Sequence, residues 1–299
     1  MRNSKTNLSD SIWASAPIIV SNNDLKDALN IEAAKNFAMQ TKQHLHYYYA
    51  TNKRMGEIII EPILQNKLLS YHSGKTDQRL GKLPLCKGMP IILTQNYIVS
   101  NRIVNGCIGM VQQINYTIDE IGHRHAHSCI IQNENIRSSS LPHLQDHKIV
   151  ALEDDILMTF NHPHSNTRCS FNRTQLPIMP AFSLTSHKSQ GITLPSAIIN
   201  LESCISMEAA YVMLSRVKNS NHIRILRPFH KTKICTRPSE DLRNEFKRLK
   251  FLDAETWHSS RFGLRSCINP SGGVPELERL ENWFSTQQSK FTNNHPMPS

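Results

Sequence analysis

The stretch from Pro180 to Val217 constrains this chain more than any other. An apolar run, Ala181 to Leu184, leads into the polar block Thr185-Ser186-His187-Lys188-Ser189-Gln190-Gly191. A second apolar run, Ala197 to Leu201, follows, and Met207 to Val217 then carries Ala210, Val212, Met213 and Leu214 at mixed helical spacing before Ser215-Arg216. Buried strand, polar loop, buried strand and helix is the order of an α/β domain, which places ligands at the carboxyl ends of its strands. The block between the strands is rich in side-chain donors, and Gly191 lets backbone come close to a ligand. Clustered donors suit phosphate, on a nucleotide or on a nucleic-acid backbone. A solvated surface loop can have the same composition.

The chain has 299 residues, enough for about two domains. Hydrophobic residues at 39% and charged residues at 19% describe a sequence that can bury a core. The net charge of +10 favours a polyanionic partner over acidic-protein or membrane targets. No apolar run reaches the ~18 residues a membrane span needs, and Met1 to Asp10 has no signal-peptide core. The seven cysteines are scattered, with no Cys-x-x-Cys pair, which fits free thiols in a reducing compartment. His123, His125, His127, His143 and His147 lack the cysteine or carboxylate spacing of a zinc site and read as structural.

In chain order, residues 1–16 are polar and read as loose. Pro17-Ile18-Ile19-Val20 reads as a buried strand, and Asp24 is placed to cap an amphipathic helix carrying Leu25, Ala28, Leu29, Ala33, Ala34 and Phe37. Tyr47-Tyr48-Tyr49 fits alternation in a half-buried strand, although aromatics near Lys53 and Arg54 can also stack bases. Ser73-Gly74-Lys75-Thr76 imitates a phosphate loop but has Leu69 where that loop needs its first glycine, and no buried strand before it. Asn105-Gly106 is a turn signal. Short strands then recur at Met110–Ile114, Ser128–Gln132, Lys148–Leu152 and Ile156–Phe160, the pattern of a small β-barrel. Asn221 to Leu226 reads as a last strand. Leu242, Phe246, Leu249 and Leu252 mark a helix with Arg243, Lys247, Arg248 and Lys250 on its other face. From Ala254 onward the composition is that of a poorly packed tail, with Trp257 and Trp283-Phe284 as local anchors.

Several blocks, in order, resemble the superfamily-one helicases of the Pif/RecD type. Thr185 to Thr193 resembles their motif V, and Ala210 to Val217 their motif VI. Leu85 to Leu93 with Val104 to Gly109, and Arg173 to Pro177, resemble the segments entering and leaving the family's β-barrel insert. Ile18 to Asn23 with Asn30 resembles motif IV, with Asn22 and Asn23 where relatives carry a basic group. The likeness covers roughly Pro17 to Phe229. It implies an α/β second RecA-like domain, a parallel sheet with flanking helices, over 17–108 and 173–230. The insert would occupy 109–172, a flexible start 1–16, and a basic helix with a low-order tail 231–299.

By the same resemblance Arg216 is the arginine finger of an ATP site, with Gln190, Gly191 and Thr193 near the nucleotide. Thr185 and His187 would contact a DNA backbone, Lys188 would add charge, and Tyr211 would pack. ATP and Mg²⁺ are the implied cofactors, and single-stranded or forked DNA the implied partner. An intracellular, nuclear location and roles in DNA repair, recombination and telomere maintenance follow from the resemblance. No Gly-x-x-x-x-Gly-Lys-Ser/Thr occurs in these residues. Neither Asp119-Glu120 nor Glu153-Asp154-Asp155 has the context of the family's Mg²⁺ motif. The chain is therefore expected to be the C-terminal half of a helicase, inactive alone and completed by a separate N-terminal half. A non-catalytic single-strand-binding module and a truncated mobile-element remnant remain open alternatives.

Overall fold

The computed structural model describes residues 11–59, 61–135, 144–161 and 168–262. Helix α1 is Ser11–Ala14, followed by strand β1, Ile18–Val20, and helix α2, Asn23–Gln40. Strands β2 (His46–Tyr49), β3 (Thr51–Arg54) and β4 (Glu57–Ile58) precede helix α3 (Pro62–Ser70). Then come β5 (Lys82–Leu85), β6 (Pro90–Leu93), β7 (Ile108–Ile118), β8 (Arg124–Gln132), β9 (Lys148–Leu152), β10 (Asp154–Asn161), β11 (Arg168–Gln175) and β12 (Ile178–Pro180). The remaining elements are β13 (Ser183–Thr185), α4 (Ser186–Ser189), β14 (Ala197–Ile199), α5 (Met207–Leu214), β15 (Ile223–Ile225) and α6 (Glu240–Phe262). The described residues up to 236 form one compact unit, and those from 237 a second. Among the described residues no helix is long and apolar enough to cross a membrane.

The β-branched run at Ile18 sits in a parallel sheet of order β13-β1-β14-β15. Ile19, Ala197 and Ile199 are fully buried there, packed on Ala210 and Met213 of α5. The strand β13 lies at the sheet edge, where backbone groups would go unpaired. Asn30 on α2 meets that need. Its Nδ2 donates to the Ser183 carbonyl at 3.0 Å, and the Ser183 N–H donates to its Oδ1 at 2.7 Å.

Two features of this half differ from expectation. Asn22, not Asp24, caps α2, because its Oδ1 accepts the Leu25 N–H at 2.8 Å and the helix starts two residues earlier. The polar start gives way at residue 11 to a helical turn, because Trp13 is buried and the Arg224 guanidinium lies 4.3 Å from its ring centre.

A second sheet runs β12-β6-β7-β8-β2-β5, with β9 on β8, and its end strands β12 and β5 approach each other, so it nearly closes. Tyr48, Leu83, Leu85, Met89, Ile91, Val111, Cys129 and Ile131 fill its interior. The tyrosine run does alternate: Tyr48 points into this core while Tyr47 and Tyr49 are half-buried. A third sheet, β10-β11-β3-β4, closes over α3 through Leu64, Leu68, Phe160 and Phe171. The strands within 109–172 thus pair with β2, β3 and β6, from earlier in the chain.

Two buried guanidinium groups join these layers. Arg173 is fully buried and has no carboxylate. It donates to Asn52 Oδ1 (2.8 Å), the Arg79 carbonyl (3.0 Å) and the Leu68 carbonyl (2.6 Å). Burial pulls its pKa down to about 10. Arg79, 3% exposed, grips Asp154 with two donors at 2.8 and 2.7 Å and also reaches Thr94 and Gln95.

The Ser73–Lys75 segment is a single helical turn after α3, in keeping with its missing phosphate-loop context. The Ser73 N–H and hydroxyl both donate to Asp27, and the Lys26 ammonium donates to the Ser73 hydroxyl at 2.6 Å. Lys26 is 1% exposed, and burial holds its ammonium below the usual lysine value. The unfolded chain therefore keeps this proton to higher pH, so stability owed to the group rises as pH climbs toward 10.5. Denaturant titrations from neutral pH to 10.5 are expected to show wild type gaining stability relative to Lys26→Met as pH rises.

In the second unit, α6 runs through Phe262, so helix continues past Ala254, where the sequence predicts a tail. Phe246 and Leu249 are exposed, and Arg248 holds Glu245 with two bonds of 2.8 and 2.7 Å. Trp283 and Phe284 lie outside the described residues.

Candidate nucleotide and nucleic-acid site

The donor-rich block follows β13 directly, as a helical turn rather than the expected loop. Thr185 caps it: the Lys188 N–H donates to its Oγ1 at 3.3 Å. Ser189 closes the turn by donating to the Ser186 carbonyl at 2.9 Å. This capping turns the chain sharply, and Gly191 continues it in left-handed backbone with φ +81. Thr185, Ser186 and Ser189 are buried, whereas His187, Gln190, Gly191 and Thr193 are exposed. Lys188 is half-buried and donates to Asn105 Oδ1 at 3.0 Å. Burial also holds the Lys188 ammonium below its ordinary value.

Helix α5 is capped by Ser206, whose hydroxyl accepts the Ala209 N–H at 3.2 Å. Its buried face is Ala210 and Met213, so Tyr211 is turned outward and is 71% exposed. The expectation that Tyr211 packs is thus corrected: a helix of this length has one inward stripe, and Tyr211 is off it. Arg216 folds back over the end of α5. Its Nε donates to the Val212 carbonyl at 2.7 Å, Nη2 to Ser215 Oγ at 2.7 Å, and Nη1 to the Ser189 carbonyl at 3.3 Å. The first bond satisfies a carbonyl the helix leaves open at its end. The third joins Arg216 to the donor block. The Leu194 N–H also donates to the Arg216 carbonyl at 2.8 Å. Of the five N–H donors a guanidinium carries, three are engaged and two are left.

Two hollows flank α4. The larger, about 890 Å³, brings together His187, Lys188, Gln190, Gly191 and Thr193 with Arg102, Asn105 and Asn133. The smaller, about 200 Å³, lies beside α5 and is lined by Ser21, Ser186, Ser206, Glu208 and Val212, again with His187 and Gln190. His187 and Gln190 therefore face both. Thr185 lines neither, since its hydroxyl is spent as a cap.

Asn22 and Asn23 serve the fold. Asn22 caps α2, and Asn23 Oδ1 accepts from the Lys26 ammonium at 3.3 Å. The histidines of β8 are also occupied. His125 lies between Thr51 (3.2 Å) and Asp119 (3.1 Å), and His127 between Thr117 and Glu153 (2.8 Å each). Among the described residues no group of three or more His, Cys, Asp or Glu is arranged to hold a metal. The sequence reading missed Arg102, Asn133 and Ser21. It flagged Asn105-Gly106 as a turn, and that turn does form one wall of the larger hollow.

No protein-family model matches the sequence. The chain is 41% identical over 69 residues to the ATP-dependent DNA helicase PIF1 of Saccharomyces cerevisiae (strain YJM789), a match covering 23% of this chain and 8% of that protein. It is 42% identical over 53 residues to the ATP-dependent DNA helicase Pif1 of Psychrobacter sp. (strain PRwf-1), covering 18% of this chain and 8% of that one. The fold is similar to that of Pif1 helicase from Candida albicans, with TM-score 0.51 at 17% identity over 79% of this chain. It is also similar to Pif1 from Bacteroides in complex with ADP-AlF3 and ssDNA, with TM-score 0.53 at 17% identity over 83% of this chain. Over those stretches the sequence is similar to Pif1 helicases, and the fold is similar to theirs. It spans about half of the solved helicases it matches, 50% of the Candida chain and 48% of the Bacteroides one. The expectation of a Pif-type α/β fold is met, including a parallel sheet and a nearly closed mixed one.

Proposed function

We propose that this Pif-like chain is the part of an ATP-dependent DNA helicase that supplies the arginine finger and contacts to single-stranded DNA. In this reading 17–108 and 173–230 form the second RecA-like domain, 109–172 its barrel insert, and 231–299 a separate basic appendage. The observation that carries it is the bond from Arg216 to the Ser189 carbonyl, which makes the arginine and the donor block one wall.

The smaller hollow suits a nucleotide's terminal phosphates. Hydroxyls of Ser21, Ser186 and Ser206 and the Gln190 amide line it, and the spare Arg216 donors lie on the adjoining helix end. Among the described residues Glu208 is the one carboxylate there, so the lining fits phosphate better than a metal. Gly191 and Thr193 line the neighbouring hollow. Bound ATP would supply the bond to be hydrolysed, and Mg²⁺ would rest mainly on a facing domain with a phosphate loop. Arg216 would place a fixed positive charge where negative charge grows on the γ-phosphate, a role its planar fork fills better than lysine. His187 and Lys188 would hold the DNA backbone in the larger hollow, with Thr185 keeping their turn in shape. A nuclear location goes with this reading.

Binding of a labelled oligo-dT, followed by fluorescence anisotropy across a salt series, tests the DNA half. Affinity is expected to fall steeply with salt, about 0.7 log units per log unit of salt for each phosphate neutralised on a single strand. Lys188→Ala should lower that slope by about one contact. Salt-independent affinity, or no binding, would end the reading. Binding without ATP turnover after addition of a phosphate-loop domain would favour a non-catalytic binding module.

A further inference from the structure

We propose that Arg102 is a second phosphate grip, lining the larger hollow together with Lys188, so that a nucleic-acid strand is held there by both. The inference rests on the reading of that hollow as a DNA site. Arg102 follows the helical turn Val99–Asn101 and sits in left-handed backbone, φ 63. That conformation costs a non-glycine residue energy and persists where the surroundings impose it.

The surroundings here do impose it. Ile98 and Ile103 form an isolated antiparallel bridge, each N–H donating to the other's carbonyl at 3.0 Å. The Tyr97 N–H donates to the same Ile103 carbonyl, and the Arg102 N–H donates to the Val99 carbonyl at 3.1 Å. Ile103 is buried in the core of the nearly closed sheet. The loop is thus tied at its base, and Arg102 sits directly beside that tie. Among the described residues the Arg102 side chain has no hydrogen-bond or ion-pair partner, and it is exposed.

The charge pattern of the hollow points to what it meets. Its cations are Arg102, beside the Ile98–Ile103 bridge, and Lys188, with His187, on α4. Among the described residues no carboxylate lines it. Its apolar lining, Val104, Ile108, Ile192, Leu194 and Pro195, suits sugars and base edges. Asn133 shapes the wall: its amide donates to the Ile108 carbonyl at 2.7 Å, and its Oδ1 accepts the Asn135 N–H at 2.7 Å. Two cations in one hollow whose described lining has no carboxylate fit a chain of phosphates better than a neutral ligand.

Arg102→Gly is the clean test, because glycine accepts the left-handed backbone and removes the guanidinium. In the full chain, the salt slope for oligo-dT should fall by about 0.7, one single-strand contact. Affinity for oligo-dA should fall by the same factor, since a phosphate contact ignores base identity. The melting temperature should hold or rise. Arg102→Lys, which keeps the charge, should restore the slope. If Lys188→Ala lowers the slope and Arg102→Gly does not, Arg102 is no grip and the DNA reading of the hollow survives. A lower melting temperature with an unchanged slope would give Arg102 a structural role and overturn the proposal. If wild type fails to bind, both fall.

Discussion

Arg216→Ala is expected to lower ATP turnover about 10³- to 10⁵-fold in a protein that joins this chain to a domain with a phosphate loop and a Mg²⁺ ligand. The expectation comes from placement. The guanidinium is anchored by Val212 and Ser189 and keeps two donors in reserve. A charge fixed before the reaction stabilises the transition state without reorganising first. Arg216→Lys should recover little, because an ammonium cannot hold the Val212 carbonyl and present a fork to phosphate together. Oligonucleotide affinity should stay nearly unchanged. Losing a cation at a helix end costs only about 0.3–1 kcal/mol, so melting would move little. A turnover loss below tenfold would sink the arginine-finger role. The chain by itself is expected to hydrolyse no ATP, and Arg216-dependent hydrolysis by the isolated chain would overturn the need for a facing domain.

The largest stability effect is expected at Asp154, far from that site. Asp154→Ala strips the carboxylate from Arg79, leaving a guanidinium that is 3% exposed with only neutral acceptors. Removing one partner of a fully buried pair costs about 3–5 kcal/mol; the Asp154 side chain is 31% exposed, so the cost here is expected to be about 2–3 kcal/mol. For a unit of this size that is a fall of roughly 4–12 °C in melting temperature. The damage should spread, because the Arg79 carbonyl also accepts from Arg173, whose other bonds reach Asn52 and Leu68. Pairing Asp154→Leu with Arg79→Met should recover much of the loss, since an apolar replacement of both partners leaves no unpaired charge. A drop below about 1 kcal/mol for Asp154→Ala alone, the value of an exposed pair, would show that water reaches Arg79.

The strands of the parallel sheet could be read from the sequence because they are short β-branched runs with polar residues at their ends. The roles of Arg216 and Lys188 were carried over by resemblance, and nothing in the local sequence foretold the bond from Arg216 to the Ser189 carbonyl, 27 residues away. Tyr211 was misread because periodicity is weak in a helix of eight residues, where few positions separate the inward stripe from the outward one. Asn30 was placed by resemblance, but its bridge to Ser183 was not foreseen, since it spans 153 residues. The same holds for Arg173. Burial of a guanidinium depends on acceptors at Asn52, Leu68 and Arg79, and nothing local to residue 173 announces them. Arg102 was overlooked because a positive φ in arginine leaves no mark in the sequence.

His187 and Gln190 belong to the walls of both hollows, and only a single four-residue turn stands between them. A shared partition of this kind makes the two occupancies thermodynamically reciprocal. Whatever factor a filled small chamber imposes on strand affinity, a bound strand must impose on the small chamber's ligand. In the proposed reading, any such coupling would pass through His187 and Gln190, the residues common to both walls.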